Sequence, residues 1–481
     1  MRILFVASEC VPFAKAGGLG DVVGALPKAL KLMGHDVRVL LPRYASIDAS
    51  GFVRSPHPLG VPMGSGAAWC AVYEGQLPDS EVPIYLLEHD LAFGGGRIYG
   101  GEENTLWGGV KFGILSRGGF ELARWLDWKP DVFHLHDWPS AWMAPMANEI
   151  EPEFADTATV FTIHNMAHQP KFPRETLAAL GMSETYFRAD GLEDFGMVNP
   201  FKGALYHSTM LTTVSPRYAH EIRTPAFGCG LDGVAEFRAA DLVGVLNGID
   251  DDVWDPEKDA FVPAHFNAED LSGKAVCKAA LEARFGLDPE PRSPLFGVVS
   301  RMTSQKGLDV IGDIVERLLA TGSRFVILGS GDPAYEARFI GLSHVHRGRV
   351  GAHIGYDEGL AHLIEAGSDF FLMPSRFEPC GLNQFYSQRY GTLPIVHATG
   401  GLEDTVEHAD PGKRTGTGYK MFALSSDALI NTIRWAVDVY RHDPELHLAM
   451  QRQAMGKEMG WDIAARSYDA IYRWAVTKRR G

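Results

Sequence analysis

Cysteine is scarce in this chain, and no two cysteines stand at a spacing typical of metal binding. The five that occur are Cys10, Cys70, Cys229, Cys277 and Cys380. An odd count without a Cys-x-x-Cys pair argues against a disulfide framework and against structural zinc.

Long apolar runs are also missing. Residues 1–9 carry one basic side chain and an apolar run that is too short for a signal peptide. No later apolar run is long enough to cross a bilayer. These two absences argue against a membrane partner and predict a soluble protein of the cytoplasm.

Positive charge is in deficit, since 45 lysines and arginines are set against 60 aspartates and glutamates, for a net charge of −15. This balance argues against a nucleic-acid partner, and a phosphorylated ligand would need positive charge concentrated at one place. The remaining composition is that of a globular enzyme, with 481 residues, 46% hydrophobic and 22% charged. That length allows two large domains or three domains of about 150 residues.

Residues 369–406 are the most informative stretch. An apolar run at 369–374 predicts a buried strand, and a helix is expected to begin near Gly381 or Leu382. The free N–H groups and the dipole of such a helix start favour a phosphate. Glu378 is a carboxylate at the edge of this anion site, which suggests that it faces positive charge developing on a sugar carbon. A plain strand–turn–helix with a solvated Glu378 is an equal alternative on this stretch alone.

Three strings in this region resemble the donor-site signature of bacterial glycogen synthases and plant starch synthases. They are Glu-Pro-Cys-Gly-Leu at 378–382, Arg-Tyr-Gly at 389–391 and Thr-Gly-Gly-Leu at 399–402. A fourth string, Lys-Ala-Gly-Gly-Leu at 15–19, resembles the N-terminal donor-site motif of the same family. The resemblance implies substrate contacts from Lys15, Gly18, Asp21, Cys380, Gly381, Leu382 and Asn383.

Some of these positions have simpler interpretations or depart from the family pattern. Without the resemblance, Lys15 would be a surface lysine in a turn and Asp21 a carboxylate that favours a helix dipole. Asn383 stands where many bacterial members have threonine and plant-like members have asparagine, which leaves its nucleotide contact open. Tyr386 stands where some related retaining transferases carry a second glutamate, a difference that the synthases share.

The chain begins as a β–α–β unit. Residues 3–7 predict a buried parallel strand, residues 19–33 a helix, and residues 37–41 the next strand. The intervening glycines read Gly-Gly-x-Gly at 17–20 and do not match the dinucleotide fingerprint G-x-G-x-x-G, so no nicotinamide cofactor is expected. Residues 44–108 predict small strands and loops without assignable chemistry.

Two later strands end in polar side chains. Residues 131–138 read Asp-Val-Phe-His-Leu-His-Asp-Trp, and residues 160–165 read Val-Phe-Thr-Ile-His-Asn. Because parallel strands open into a ligand cleft at their carboxyl ends, this arrangement predicts a polyol site. A metal held by His136, Asp137 and His164 is the less favoured alternative, because nothing completes a closed ligand set.

Trp138 is expected to offer a stacking face to this polyol site. The family resemblance adds specific roles to the polar residues around it. It implies that Asp137 lies near the acceptor and that His164 and Asn165 lie near the transferred glucose. It also implies that Asn247 contacts the donor sugar, although the Asn-Gly pair at 247–248 is a turn signal in its own right.

The alternation of strands and helices restarts in the second half. Strands of a second doubly wound sheet are predicted at 295–299, 324–328, 350–354, 370–373 and 393–396. Arg301 and Lys306 follow the first of these strands at a helix start, where the helix dipole disfavours cations. Their presence there is better explained by a bound anion, so the pair predicts a diphosphate-binding site. The pair resembles the phosphate-binding arginine and lysine of the same family. Tyr356 is expected to stack on the base, with a core or surface tyrosine as an equal alternative.

These patterns and the resemblance predict an α/β protein with the GT-B fold, in which two Rossmann-like doubly wound domains face each other across a deep cleft. Residues 1–249 are expected to form the acceptor-side domain and residues 250–455 the donor-side domain. Residues 456–481 are expected to form a terminal helix that crosses back to the first domain.

The resemblance implies a retaining glucosyltransferase of glycogen biosynthesis. It would move glucose from ADP-glucose to the 4-hydroxyl end of an α-1,4-glucan, either glycogen or a maltooligosaccharide, without a metal or cofactor. The implied catalytic residues are Asp137, His164, Arg301, Lys306 and Glu378. Two alternatives stay open: an enzyme that joins UDP-glucose to a small acceptor, and a non-enzymatic protein that binds glucan or senses a nucleotide.

Overall fold

The structure is a computed structural model that describes residues 1–100, 103–290 and 292–481. Residues 101 and 102, within the region 44–108 predicted to hold small strands, and residue 291 lie outside the described residues. The chain folds into two compact units, Met1–Gly248 with Trp461–Gly481, and Ile249–Gly460. Among the described residues, every helix falls short of the length and hydrophobicity needed to cross a membrane.

The first unit is built on one large sheet and a short hairpin. Its strands are β1 (Arg2–Val6), β2 (Asp36–Pro42), β3 (Val53–Arg54), β4 (Leu59–Met63), β5 (Gly66–Gln76), β6 (Pro83–Glu88), β7 (Val132–His136), β8 (Ala158–Ile163), β9 (Glu193–Asp194), β10 (Met197–Val198), β11 (Met210–Thr213) and β12 (Leu242–Gly244). Its helices are α1 (Gly18–Leu32), α2 (Asp90–Phe93), α3 (Leu106–Trp125), α4 (Asp137–Ser140), α5 (Met143–Glu149), α6 (Glu175–Ala179), α7 (Pro200–His207), α8 (Pro216–Glu221) and α9 (Asp232–Phe237).

Seven parallel strands form the body of this sheet, in the order β12-β11-β8-β7-β1-β2-β6. If the seven parallel strands are numbered by their order along the chain, their order across the sheet from the β6 edge is 3-2-1-4-5-6-7. This is the Rossmann order with one strand added. Strands β3, β4 and β5 extend the edge by antiparallel pairing, so the region 44–108 supplies the margin of the sheet. Strands β7 and β8 are buried along their whole length, as expected for parallel strands covered on both faces.

The second unit repeats this architecture. Its strands are β13 (Leu295–Val299), β14 (Arg324–Gly329), β15 (Val350–Ile354), β16 (Phe370–Met373), β17 (Leu393–His397) and β18 (Tyr419–Met421). Its helices are α10 (Ser272–Phe285), α11 (Leu308–Leu319), α12 (Pro333–Val345), α13 (Glu358–Gly367), α14 (Asn383–Arg389), α15 (Gly400–Thr405), α16 (Ser426–His442) and α17 (Pro444–Met455).

All six strands of the second unit are parallel, in the order β15-β14-β13-β16-β17-β18. This order is again 3-2-1-4-5-6 by position along the chain. The strands predicted at 295–299, 350–354 and 370–373 are confirmed to the residue as β13, β15 and β16. Apolar runs bounded by polar residues located them because both faces of these strands are covered.

The last helix, α18 (Trp461–Arg480), belongs to the first unit and packs against α1 and β8. Its buried side includes Tyr468, Ile471 and Tyr472. The Tyr472 hydroxyl lies 2.8 Å from Nδ1 of His134 in β7, so the end of the chain is hydrogen-bonded to the centre of the first sheet.

An aromatic stack anchors the start of the second unit. The Trp254 ring lies parallel to His362 at 3.8 Å and to Tyr386 at 3.7 Å between ring centroids. Asp259 is buried, and its carboxylate accepts hydrogen bonds from the Tyr390 hydroxyl and from Nδ1 of His362. Tyr386, which stands where other transferases carry a second glutamate, therefore packs against the segment that begins this unit.

Candidate active site

Each sheet changes its winding direction between the first and fourth parallel strands. That point lies between β1 and β7 in the first unit and between β13 and β16 in the second. Ligands of doubly wound sheets bind outside the carboxyl ends of the strands at this switch point. The loops after these four strands carry most of the predicted site residues, namely Lys15, Gly18, Asp137, Arg301, Lys306, Glu378, Cys380 and Gly381.

In the second unit, Lys306 and Glu378 form an ion pair between the two switch-point loops. Nζ of Lys306 donates to Oε2 of Glu378 at 2.6 Å, and the Ser375 hydroxyl donates to the same oxygen at 2.9 Å. The Glu378 side chain is 7% exposed and that of Lys306 20% exposed. The carboxylate at the edge of the predicted anion site is thus paired with a cation, so the solvated glutamate of the alternative interpretation is wrong.

Further contacts join the same two loops. The Arg376 guanidinium forks onto both oxygens of Asp309 at 2.8 and 2.6 Å and also donates to the Ser304 carbonyl. The Gln305 amide donates to the Phe377 carbonyl at 3.2 Å. A bidentate arginine pair fixes both distance and orientation. The loops after β13 and β16 therefore form one connected layer that holds Lys306 and Glu378 in register.

Two glycines allow backbone segments to approach this layer closely. A Cβ at Gly307, which has φ +67°, would lie 2.0 Å from the Pro374 carbonyl oxygen. A Cβ at Gly401 would lie 2.1 Å from the Cys380 carbonyl oxygen, and the Gly401 N–H donates to the Glu378 carbonyl at 3.0 Å. The Thr-Gly-Gly-Leu string at 399–402 therefore supports the Glu378 loop through its backbone.

The other predicted residues of this unit differ in accessibility. Arg301 and Tyr356 are exposed, and Cys380 is buried. Helix α14 begins at Asn383 with Leu382 as its N-cap, within two residues of the start predicted near Gly381 or Leu382. Gly381, in the loop that precedes α14, has a left-handed backbone with φ +77°.

Asn383 has a structural partner. Its side-chain amide donates to the Val299 carbonyl at the end of β13, at 2.7 Å. This contact ties the start of α14 to the strand that precedes Arg301.

In the first unit, Glu9 organises the loop that carries Lys15. One carboxylate oxygen accepts the backbone N–H groups of Ala16 and Gly17 at 2.6 and 2.8 Å, and the other accepts the Tyr99 hydroxyl at 2.7 Å. Glu9 is 3% exposed. The backbone N–H groups of Ala16 and Gly17, just before α1, are therefore already hydrogen-bonded to an anion, the Glu9 carboxylate.

Lys15 is placed beside Asp21 at the start of α1. Nζ of Lys15 lies 2.7 Å from Oδ1 of Asp21, and half of the Lys15 side chain is exposed. Burial raises the pKa of Asp21, although Lys15 opposes that shift. Lys15 is the more exposed partner of this pair and Asp21 the less exposed one, so solvent screens the pair only in part.

Replacing Glu9 by alanine is expected to loosen this loop. Three charge-assisted hydrogen bonds disappear, and we expect the free energy of unfolding to fall by about 1–3 kcal/mol. We expect the Km for the nucleotide sugar that the sequence resemblance implies to rise about 10-fold. Steady-state kinetics and urea unfolding measure the two effects. Glu9→Gln is the matched control, because the amide oxygen can still accept both N–H groups. An unchanged Km in the alanine variant would show that the loop needs no such support.

Asp137 and His164 meet at the carboxyl ends of β7 and β8. Asp137 has a left-handed backbone with φ +51°, and its Oδ1 accepts the His164 backbone N–H at 2.8 Å. Burial raises the pKa of Asp137 to about 8, although hydrogen bonds from the backbone of His164 and Asn165 oppose the shift. The carboxyl group therefore keeps its proton over much of the neutral range, and it suits hydrogen bonding to a hydroxyl better than proton abstraction.

Three histidines at these strands form an uncharged group, in which His134 and His136 are fully buried and His164 is half-buried. Nδ1 of His136 lies 3.0 Å from Nε2 of His164, and Nε2 of His134 lies 2.7 Å from the Thr162 hydroxyl. Burial lowers the pKa of all three rings, so they are neutral near pH 7. The described residues include no group of three His, Cys, Asp or Glu side chains placed to hold a metal ion.

Trp138 does not lie where the sequence suggested. Its ring is buried, 4.6 Å from Phe112 between centroids, with Tyr99 and Phe172 also in contact. The Trp138 ring therefore packs in the core and is not available to stack on a sugar, so the predicted stacking face is wrong. The reason is that α4 starts at Asp137 and turns the next side chain inward onto α3.

The two predicted asparagines differ in their environment. Asn165 is half-buried, and its side-chain oxygen accepts the Ala167 N–H at 3.0 Å, a local turn that fixes its orientation. Asn247 is buried in the segment after β12.

Sequence reasoning missed Glu9 and Ser375, which hold the two site loops. Glu9 stands two residues after the first apolar run, and Ser375 stands two residues after the strand before Glu378. A polar residue at the carboxyl end of a central strand was the available signal for both.

Comparison with family models covers most of the chain. Residues 2–236 match the starch synthase catalytic domain, and residues 281–455 match the glycosyl transferases group 1 domain. Glycogen synthase 1 of Geobacter metallireducens is 45% identical over 100% of this chain and 97% of its own length. Glycogen synthase 1 of Geobacter sulfurreducens is 46% identical with the same coverage.

Solved structures agree with these relatives. The catalytic domain of starch synthase IV from Arabidopsis thaliana, bound to ADP and acarbose, is 33% identical and has a TM-score of 0.91 over 99% of both chains. Sucrose-phosphate synthase from Thermosynechococcus elongatus, at 16% identity and a TM-score of 0.61 over 98% of both chains, shares the fold. The chain therefore belongs to the family of bacterial glycogen synthases and plant starch synthases, retaining glycosyltransferases with the GT-B fold of two Rossmann-like domains.

Proposed function

We propose that this protein transfers glucose from ADP-glucose to the non-reducing 4-hydroxyl end of an α-1,4-glucan, with retention of the anomeric configuration. The observation that carries the proposal is the Lys306–Glu378 ion pair at the switch point of the second unit. It would join a cation for the diphosphate to a carboxylate for the developing sugar cation. That the starch synthase IV structure contains ADP and acarbose supports the same donor and acceptor classes here.

The second unit would bind the donor. Arg301 is exposed and Lys306 is partly exposed, so both can turn toward a diphosphate whose negative charge grows as the sugar departs. The backbone near Gly381 and the Cys380, Leu382 and Asn383 positions would contact the donor, and Tyr356 the base. In this proposal residues 250–455 are the donor-side domain.

The ion pair implies an exchange when the donor binds. Without a ligand, Lys306 neutralises Glu378. With a diphosphate present, Lys306 has a second and stronger anionic partner, which frees part of the carboxylate charge for the sugar ring. Glu378 remains hydrogen-bonded to Ser375 and so keeps its position.

The first unit would bind the sugar and the acceptor. His164, Asn165, Asn247 and Lys15 would contact glucose hydroxyls, with Gly18 and Asp21 in the adjoining loop, and Asp137 would hydrogen-bond the acceptor. In this proposal residues 1–249 are the acceptor-side domain. Residues 456–481 add the terminal helix, which packs against α1.

The chemical step balances without another reactant. The bond between sugar C1 and the diphosphate oxygen breaks, and its electron pair stays on that oxygen. The acceptor 4-hydroxyl oxygen bonds to C1 from the same face, and its proton passes to the departing phosphate oxygen. Glu378 stabilises the positive ring between these events.

A transfer assay tests the proposal directly. Radiolabelled ADP-glucose and UDP-glucose are each supplied with and without glycogen or maltooligosaccharide. We expect label in the glucan from ADP-glucose at a rate at least about 10-fold above that from UDP-glucose, the ratio that one good contact provides. Transfer from UDP-glucose to a small sugar would favour the disaccharide-forming alternative instead.

We also propose that the protein works in the cytoplasm. All five of its cysteines are free thiols, as expected where disulfides are kept reduced.

A further inference from the structure

His136 is buried between the core and the candidate sugar site, with only one of its ring nitrogens paired. Its Nδ1 lies 3.0 Å from Nε2 of His164. Its Nε2 is buried and, within the described residues, has no hydrogen-bond partner. The ring stacks on Phe5 at 5.3 Å between centroids, so it cannot rotate without disturbing the first strand.

Only two proton arrangements fit this contact. Burial keeps both rings neutral, so each ring carries one N–H. If His164 donates from Nε2, then His136 must carry its own proton on Nε2, which leaves a buried N–H without a partner. If His136 donates from Nδ1, its Nε2 keeps only a lone pair. Buried N–H groups without partners are rarer than under-used acceptors, which favours the second arrangement.

We propose that His136 is a positioning residue that donates its Nδ1–H to Nε2 of His164 and thereby holds the His164 proton on Nδ1. The inference rests on the proposed role of His164 at the glucose hydroxyls. His164 then presents an N–H donor on the side of its ring away from His136. Its backbone N–H is held by Asp137 at the same time, so both ends of the residue are fixed.

His134 provides an internal contrast, because both of its ring nitrogens have partners. Nε2 lies 2.7 Å from the Thr162 hydroxyl and Nδ1 lies 2.8 Å from the Tyr472 hydroxyl. Hydroxyls can donate or accept, so either tautomer of His134 is satisfied. His134 is as deeply buried as His136 but has no hydrogen bond to His164. Its ring lies 4.2 Å from that of His136 between centroids, so its loss tests whether packing against His136, rather than the hydrogen bond, sets the His164 tautomer.

The first test reads the tautomer in the unaltered protein. Histidine labelled with ¹⁵N on both ring nitrogens is incorporated, and the His164 signals are assigned as those lost in His164→Asn. We expect a pyrrole-type shift at Nδ1 and a pyridine-type shift at Nε2 of His164, without any substrate. A proton found on Nε2 of His164 would overturn the proposal, whatever the activity of the enzyme.

The second test compares His136→Leu with His136→Asn. The two side chains are close in size, but only asparagine can place an N–H donor where Nδ1 was. We expect kcat to fall about 10-fold in His136→Leu, with the Km for the nucleotide sugar within about twofold, and to be largely restored in His136→Asn. His134→Leu is expected to lower the melting temperature while leaving the His164 tautomer and kcat near those of the unaltered protein.

The two readouts separate this inference from the proposed function. A His164 tautomer that is unchanged in His136→Leu overturns the positioning role. A changed tautomer with unchanged transfer supports the positioning role and removes His164 from the chemistry. Equal kcat values in the leucine and asparagine variants would also overturn the inference, because the cavity alone would then explain the loss.

Discussion

Replacing Glu378 by alanine is expected to lower glucosyl transfer by about 10²–10³-fold while ADP binds as well as before or slightly better. Transfer should fall because the carboxylate that we propose stabilises the cationic sugar ring is gone. ADP binding is spared because Lys306, released from its 2.6 Å ion pair, becomes fully available to the diphosphate. Initial rates with ADP-glucose and calorimetric titration with ADP measure the two effects.

Glu378→Gln separates charge from shape. The glutamine keeps the volume and can still accept the hydrogen bond from Ser375, so it should preserve the loop while losing the negative charge. We expect it to be nearly as inactive as the alanine variant. A rate close to that of the unaltered protein in either variant would remove Glu378 from the chemical step.

Replacing Lys306 by alanine is expected to lower kcat/Km for the nucleotide sugar by about 10²-fold, as hydrogen bonds to charged groups contribute about 1.5–3 kcal/mol each. The loss has two parts: a contact to the diphosphate, and the cation that neutralises Glu378 before the donor arrives. The free energy of unfolding should fall by no more than about 2 kcal/mol, because Lys306 is partly exposed and solvent screens the pair.

Lys258→Ala is the matched control for this prediction. Lys258 forms a 2.7 Å ion pair with Asp252 in the same unit, but its side chain is half exposed and that of Asp252 is almost fully exposed. We expect that variant to retain normal kinetics and stability. If Lys306→Ala behaves like Lys258→Ala in the transfer assay, the loop after β13 does not grip the donor through this lysine.

The fold was largely predictable because parallel strands buried on both faces leave a strong signal. Strands β13, β15 and β16 coincide with apolar runs to the residue, and α1 differs from its predicted bounds by a single residue at each end. Helix α14 was harder to locate. Gly381 has a left-handed backbone and Leu382 is the N-cap, so the helix begins only at Asn383. The spacing of hydrophobic residues does not predict either backbone conformation.

Trp138 shows where residue type misleads. An aromatic residue next to a predicted sugar site suggests a stacking platform, yet its ring packs on Phe112 in the core. The direction of a side chain at a strand–helix junction depends on the backbone turn, here the positive φ of Asp137. Glu9 shows the converse: its place after a central strand indicates a site residue, but the neighbouring sequence does not identify the N–H groups of Ala16 and Gly17 as its partners.

The sequence by itself determined which residues stand at strand ends and which helix starts carry cations, because these depend on local periodicity and on residue type. Only the tertiary structure decided that Lys306 and Glu378, 72 residues apart, share a hydrogen bond, and that His136 reaches His164. Both contacts depend on strand order: β13 lies beside β16 and β7 beside β8. Which strands become neighbours depends on how the crossover connections pack on the sheet. The free energy of that packing comes from contacts throughout the core, so no single stretch of sequence reveals it.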